Sequence, residues 1–192
     1  MPLQSPLRYS ALLKSLSLSV DSASIIQPIS RQNPQRFFGI IEYMELHKLA
    51  QEYFSSVKPM QLATISNGQP WICTVYFVAD EDFNLYWMSA RERQHSREIA
   101  KNSKVAVAVV KDSERKQALQ ITGEACEVSD ESLEKVHTLY TVKYGPKDYD
   151  LNEIKRHLPE GRAYWMVKPT KMYFWDEVNF PDAPKQEVLL SH

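Results

Sequence analysis

Apolar residues follow two spacings along the 192-residue chain, one helical and one alternating, and the switches between them mark out the elements. From Met44 to Val57 the residues Leu46, Leu49, Ala50, Tyr53, Phe54 and Val57 fall on one stripe, which predicts an amphipathic helix. The runs 60–66 and 70–80 then read as two strands around Asn67-Gly68. That dipeptide readily supplies the positive φ angles of a two-residue turn, so a β-hairpin is expected. A turn over Asp80–Phe83 leads into a strand over 83–89, a short helix over about 93–102 and a strand over 104–111. Residues 117–128 form a long alternating run in which Gly123 predicts a bulge or a bend at a barrel corner.

The segment 129–144 opens with a capping pattern and continues at helical spacing, and a second helix is expected over about 149–158. Arg162–Pro169 and Lys171–Glu177 read as two strands of a closing hairpin. Six or more strands in a meander would leave exposed edges unless the sheet curls on itself. The expected fold is therefore mainly β with peripheral helices, a closed or split β-barrel. It occupies residues 44–192.

Residues 1–43 have a different composition, with eight serines, four prolines and four basic residues against only Asp21 and Glu42. They read as a disordered or transit-like extension, or as an upstream extension of the reading frame, without the apolar segment of a secretory signal. Over the whole chain the hydrophobic content is 43% and the charged content 24%, ordinary for a globular protein. The net charge of −1 provides no global attraction to nucleic acid or anionic membrane, so neither is an expected partner. No run of 18 apolar residues predicts a membrane span. Cys73 and Cys126 lack metal-site spacing and are expected as buried free thiols in a cytoplasmic protein. The five histidines never pair at i, i+3 or i+4, and no metal site is expected.

Against this neutral background, the cluster Ser89, Arg91, Arg93, His95 and Arg97 stands out at the start of a predicted helix. Arginines normally favour the other end of a helix, because the N-terminus already carries partial positive charge. A serine hydroxyl, an arginine fork and a histidine together suit a phosphate. The same spacing also fits a solvated charged helix, partly neutralised by Glu92 and Glu98. Neither GxGxxG nor a P-loop motif occurs, so no Rossmann or P-loop site is expected. Tyr140, Tyr144 and Tyr149, with Lys143 and Lys147, suit either a lid or an ordinary surface helix, and His137 reads as structural. Trp71, Trp87, Trp165 and Trp175 suit core or subunit packing better than stacking on a ligand.

The order LATIS-NG-QPWICTVYFV, LYWMSARERQHSREIAKNSKVAVAVV and LQITGEACEV resembles the FMN-binding split barrels of the pyridoxamine 5′-phosphate oxidase-like superfamily, over about residues 45–178. The resemblance implies a homodimer with FMN at its interface. On it, Ser89 matches a small hydroxyl position of the phosphate turn, and Arg93 lies just before Gln94 and His95, which stand where an arginine and a lysine are usual. Trp71, Ile72, Cys73 and Thr74 match the strand beside the flavin, and Gln120 a strand that often faces the cofactor. Cys73 and Val78 replace the arginine and lysine of the vitamin B6 oxidases proper, and the C-terminal arginine motif is missing from residues 172–190. The implied function is an FMN-dependent oxidoreductase acting on an unidentified small molecule. A non-catalytic flavin-binding protein and a haem-binding split barrel are the alternatives, and FAD or a deazaflavin are alternatives to FMN. Flavin supplies its own redox chemistry, so the absence of a catalytic carboxylate pair is compatible with an enzyme.

Overall fold

The computed structural model describes residues 34–111, 116–145 and 151–190. Its elements are α1 (Pro34–Ser56), β1 (Pro59–Ser66), β2 (Gln69–Ala79), β3 (Leu85–Ala90), α2 (Gln94–Ile99), β4 (Lys104–Val110), β5 (Gln117–Glu127), a 3-10 turn (Asp130–Ser132), α3 (Leu133–Tyr144), α4 (Leu151–Lys155), β6 (Arg162–Asp176) and β7 (Lys185–Glu187). The chain divides into two units at Lys48–Leu49. In the first, the described residues are helical, with the Tyr43 and His47 rings 4.2 Å apart. The helix begins at Pro34, ten residues before the predicted start. Proline is well suited to a first helical turn, where its missing N–H has no partner to lose.

The strands run antiparallel in the order β3-β2-β1-β4-β5-β6-β7, and β3 also pairs with β6. That last pairing closes six strands into a ring and leaves β7 attached outside it. Closure satisfies the backbone groups of what would otherwise be two edges. The β1–β2 turn has Asn67 at φ 51° and Gly68 at φ 78°, as the dipeptide predicted.

Strand alternation fills the ring. Met60, Leu62, Phe77, Leu85, Trp87, Val107, Leu119, Val167 and Phe174 are all buried, and Trp87 stacks on Trp165 at 6.4 Å. The end of α1 adds Phe54, which meets Phe77 edge-on at 5.8 Å. A second core lies where α3 and α4 pack on the sheet, joining Val78, Tyr86 and Tyr164 to Leu133, Val136, Tyr140 and Ile154. Here β2, β3 and β6 are apolar on both faces.

The predicted closing hairpin of two strands over 162–177 is instead one strand, the 15-residue β6. A bulge resolves the apparent break: Gly123 pairs with Pro169 while Thr122 pairs with Lys171, leaving Thr170 as the extra residue. Proline is tolerated at such a site because a ladder hydrogen bond is already missing there. Gly123 is needed opposite it, since a Cβ would collide with the Lys168 carbonyl and approach Val167 Cγ1 to 2.8 Å. The expected bulge at Gly123 is therefore present, while the expected strand break at Pro169 is not. The true closing hairpin is β6 with β7, where Tyr173 pairs with Glu187.

Both cysteines are free, but Cys126 is exposed and Cys73 half-buried, against the expectation of two buried thiols. The even-numbered positions of β5 face outward, and Cys126 is one of them.

Candidate functional site

Strand β3 ends at Ala90, and Arg91–Arg93 turn the chain into the six-residue α2. This turn places Ser89 Oγ 2.8 Å from His95 Nε2. His95 is 8% exposed, and its pKa lies below the ordinary imidazole value because of burial and the nearby Arg93 charge, with Glu98 acting in the opposite direction. The neutral ring is therefore favoured in the folded chain. This contributes stability that is full above the ordinary imidazole pKa and lost as pH falls through it toward the folded value.

The three arginines separate into different roles. Arg91 is committed to structure: Nε donates to Glu127 Oε2 at 3.0 Å, Nη2 to Glu127 Oε1 at 2.5 Å, and Nη1 to the Leu158 carbonyl at 2.9 Å. Arg93 and Arg97 are exposed, and neither makes an ion pair among the described residues. Arg93 has extended backbone at φ −63°, ψ 148° and its side chain does not cap the helix.

Gln94 donates to Glu98 Oε1 at 2.9 Å, so its amide faces a carboxylate. Glu98 Oε2 also accepts from the Thr64 hydroxyl, and these two hydrogen bonds hold its pKa below the usual carboxylate range. Thr64 and Glu98 are both buried. Glu98 is thus a buried hydrogen-bond acceptor rather than the neutralising surface charge expected from sequence; the Gln94–Glu98 spacing of four is the sequence signal for it. Burial and the Glu98 charge raise the Cys73 pKa, so this thiol is held in its protonated form.

The four β2 candidates are divided by the pleat. Trp71 pairs with Thr64 and Cys73 with Leu62, on the side of the strand that carries the buried β1 residues, although Trp71 itself, near the strand's start, is exposed. Ile72 and Thr74 are on the other side, where Thr74, Gln61, Ala108 and Gln120 form one row across β2, β1, β4 and β5. Thr74 and Gln120, 46 positions apart in sequence, thus share a face. Ile72 heads the adjacent row with Ala63, Ala106 and Thr122. The structure therefore brings Ser89 to His95 and Thr74 into line with Gln120. No described side-chain contact joins these two groups.

This outer face is unusually apolar for an exposed sheet. Ile72 is 62% exposed, Tyr76 63% and Ile65 43%, and alanines lie between them. The tyrosines of α3 do not form a lid. Tyr140 OH donates to the Tyr76 carbonyl at 2.5 Å and Tyr144 OH to the Phe77 carbonyl at 2.6 Å, fixing the helix to β2. Tyr149 and Lys147 lie outside the described residues. His137 Nδ1 is 3.0 Å from Tyr164 OH, consistent with a structural role.

Six antiparallel strands closed in a ring, flanked by short helices, define this protein as a split β-barrel. The pyridoxamine 5′-phosphate oxidase family model matches residues 46–176, and the chain belongs to this family. No curated protein matches the sequence significantly. Among solved structures, a conserved hypothetical protein of Mycobacterium tuberculosis is similar at 17% identity, covering 70% of this chain and 86% of that one with a TM-score of 0.57. An F420 reductase is similar at 19% identity, covering 64% and 94% with a TM-score of 0.50. A haem-binding protein of Mycobacterium smegmatis is similar at 15% identity, covering 65% and 52% with a TM-score of 0.50. These structural likenesses are likenesses of fold. Among the described residues no helix is long and apolar enough to cross a membrane.

Proposed function

We propose that this protein is a cytoplasmic flavoprotein that binds FMN between two copies of the chain and acts as an oxidoreductase on a small molecule. The observation that carries the reading is the Ser89–His95 pair at 2.8 Å with the exposed Arg93 beside it, which makes no ion pair among the described residues. Burial and the Arg93 charge keep the His95 ring neutral, and an anion held at this turn would offset both by favouring its protonated, donating form. A guanidinium, an imidazole and a hydroxyl are a fitting donor set for the FMN phosphate. Bound flavin would supply the electron transfer, while this turn would hold and orient it. Haem propionates are anions too, but haem also needs an axial ligand, and His95 and His137 are already held by Ser89 and Tyr164, which favours flavin. Titration of the purified protein with FMN should give a bound chromophore with two visible bands. Retention of haem with a Soret band, and no flavin binding, would overturn the proposal. Turnover with a reduced nicotinamide would then distinguish an enzyme from a flavin carrier, and parallel titrations with FAD and a deazaflavin would test the choice of FMN.

The proposed dimer follows from the apolar outer face of β1, β2, β4 and β5, since exposed apolar patches mark association surfaces and two-fold dimers are the commonest solution. Light scattering at micromolar concentration is expected to give about twice the 22.3 kDa chain mass. Ile72→Asp places a charge in that face and should shift the mass towards one chain while weakening FMN. A monomeric wild type that still binds FMN tightly would refute the shared site.

The His95 pKa gives the proposed FMN affinity a direction with pH. The free ring is biased towards neutrality, and a bound phosphate would raise its pKa, so binding takes up a proton between the two values. Affinity should fall as pH rises through the bound-state pKa. Fluorescence titrations of FMN across pH should show this slope, and His95→Gln should flatten it beyond what the phosphate's own ionisation contributes. An unchanged slope in the variant would exclude His95 from the phosphate contact.

A further inference from the structure

The last turns of α1, the end of β2 and α3 line an open cleft of about 390 Å3 that shares no residue with the Ser89–His95 turn. That volume is in the usual range of small-molecule sites. Phe54, Val78, Ala79, Leu139 and Val142 give it apolar walls, and Val142 is 81% exposed at its edge. An apolar side chain so exposed on a helix gains nothing from water.

The neutral polar groups of the lining have already used their donors. Gln51 Nε2 donates to the Asp80 carbonyl at 3.2 Å and the Glu81 carbonyl at 3.0 Å. Ser55 Oγ donates to the Gln51 carbonyl at 2.9 Å. Lys143 is different. Its Nζ donates to the Phe54 carbonyl at 3.0 Å and lies 4.3 Å from the Phe77 ring centroid, yet it meets no carboxylate among the described residues. An ammonium has three donors, so part of its capacity is unspent. Burial, with repulsion from Lys58 added to it, lowers the Lys143 pKa to about 8. Among the described residues the other titratable groups on this side are phenols: Tyr144, whose ring centroid is 5.8 Å from Nζ, and Tyr76, which packs against Tyr144.

The geometry points to a second binding site: this cleft takes a small monoanion with an apolar body, an aromatic carboxylate being the fitting class, with its charged end at Lys143. The apolar walls receive the ring and the remaining donors of the ammonium receive the carboxylate. A phosphate dianion would need several donors, and the described lining offers one cation. Capping of α1 accounts for the Lys143–Phe54 hydrogen bond, but by itself predicts no preference for an anion over its neutral analogue.

Benzoate and benzamide have nearly the same shape and differ in charge, so titrating each into the full chain, followed by amide NMR shifts, tests the site. Benzoate is expected to shift Leu139 and Val142 and to bind about tenfold more tightly than benzamide at pH 7, the factor for one charge-assisted contact. Lys143→Met should abolish that preference and Lys143→Arg should keep it. Saturating benzoate should also raise the Lys143 titration midpoint above about 8. Its affinity should then fall as pH rises through the bound-state value. Equal affinity for the two probes, no shift at Leu139 and Val142 with either, or an unchanged wild-type midpoint would each overturn the proposal. The midpoint test uses wild type alone and stays decisive if Lys143→Met fails to fold.

Discussion

Arg93→Ala is expected to weaken FMN by about one to two powers of ten while leaving riboflavin nearly unaffected. Charged hydrogen bonds contribute roughly 1.5–3 kcal/mol each, and about 1.4 kcal/mol is a factor of ten in affinity. Arg93 is the arginine of this turn whose charge bears on His95 while its own side chain makes no ion pair among the described residues. The loss should be specific to the phosphate, because riboflavin has the same ring and ribityl chain without it. Arg91→Ala should behave differently. Its guanidinium ties β3 to Glu127 on β5 and to the Leu158 carbonyl, so its removal should lower stability and affect both flavins alike. Isothermal titration of both flavins against wild type and the two variants separates the roles. Equal losses for FMN and riboflavin in Arg93→Ala would return the turn to a solvated charged helix.

The largest effect on stability should come from Gly123→Val. The bulge brings the Lys168 carbonyl so close that no Cβ fits without moving backbone, and Val167 Cγ1 blocks the remaining space at 2.8 Å. Overpacking of this kind costs about 3 kcal/mol, and here a backbone atom rather than a flexible side chain must yield. For a chain of this size that corresponds to a melting-temperature drop of about 6–12 °C. Gly68→Ala is the control. Nothing lies within 4 Å of its added Cβ, so only the strain of φ +78° remains, about 1–2 kcal/mol. Thermal melts of the two variants should therefore differ clearly. A Gly123→Val melt equal to that of Gly68→Ala would show that the β5–β6 bulge relaxes at little cost.

The sequence by itself determined the features that depend on neighbouring residues. Alternation identified β1, β2, β4 and β5, because a pleated strand turns successive side chains to opposite faces. Asn67-Gly68 specified its turn through backbone sterics, and Gly123 announced a bulge through its missing side chain. The chemistry of Ser89, Arg93 and His95 was visible as a basic cluster out of place in a neutral chain.

Tertiary structure decided what depends on partners distant in sequence. Arg91 and Arg93 look alike in sequence, but Glu127, 36 positions later, sequesters Arg91. Thr74 joins Gln120 in one row only because β1 and β4 lie between their strands. Pro169 looked like a strand end, and β6 continues through it because β5 presents a glycine opposite. Lys143 reads as one more surface lysine until the fold holds it at the Phe54 carbonyl and Phe77 ring, where burial and the Lys58 charge lower its pKa. The division has one physical cause: side-chain spacing fixes which way a residue faces within its element, whereas its charge state and hydrogen-bond partners depend on which other elements pack against that face.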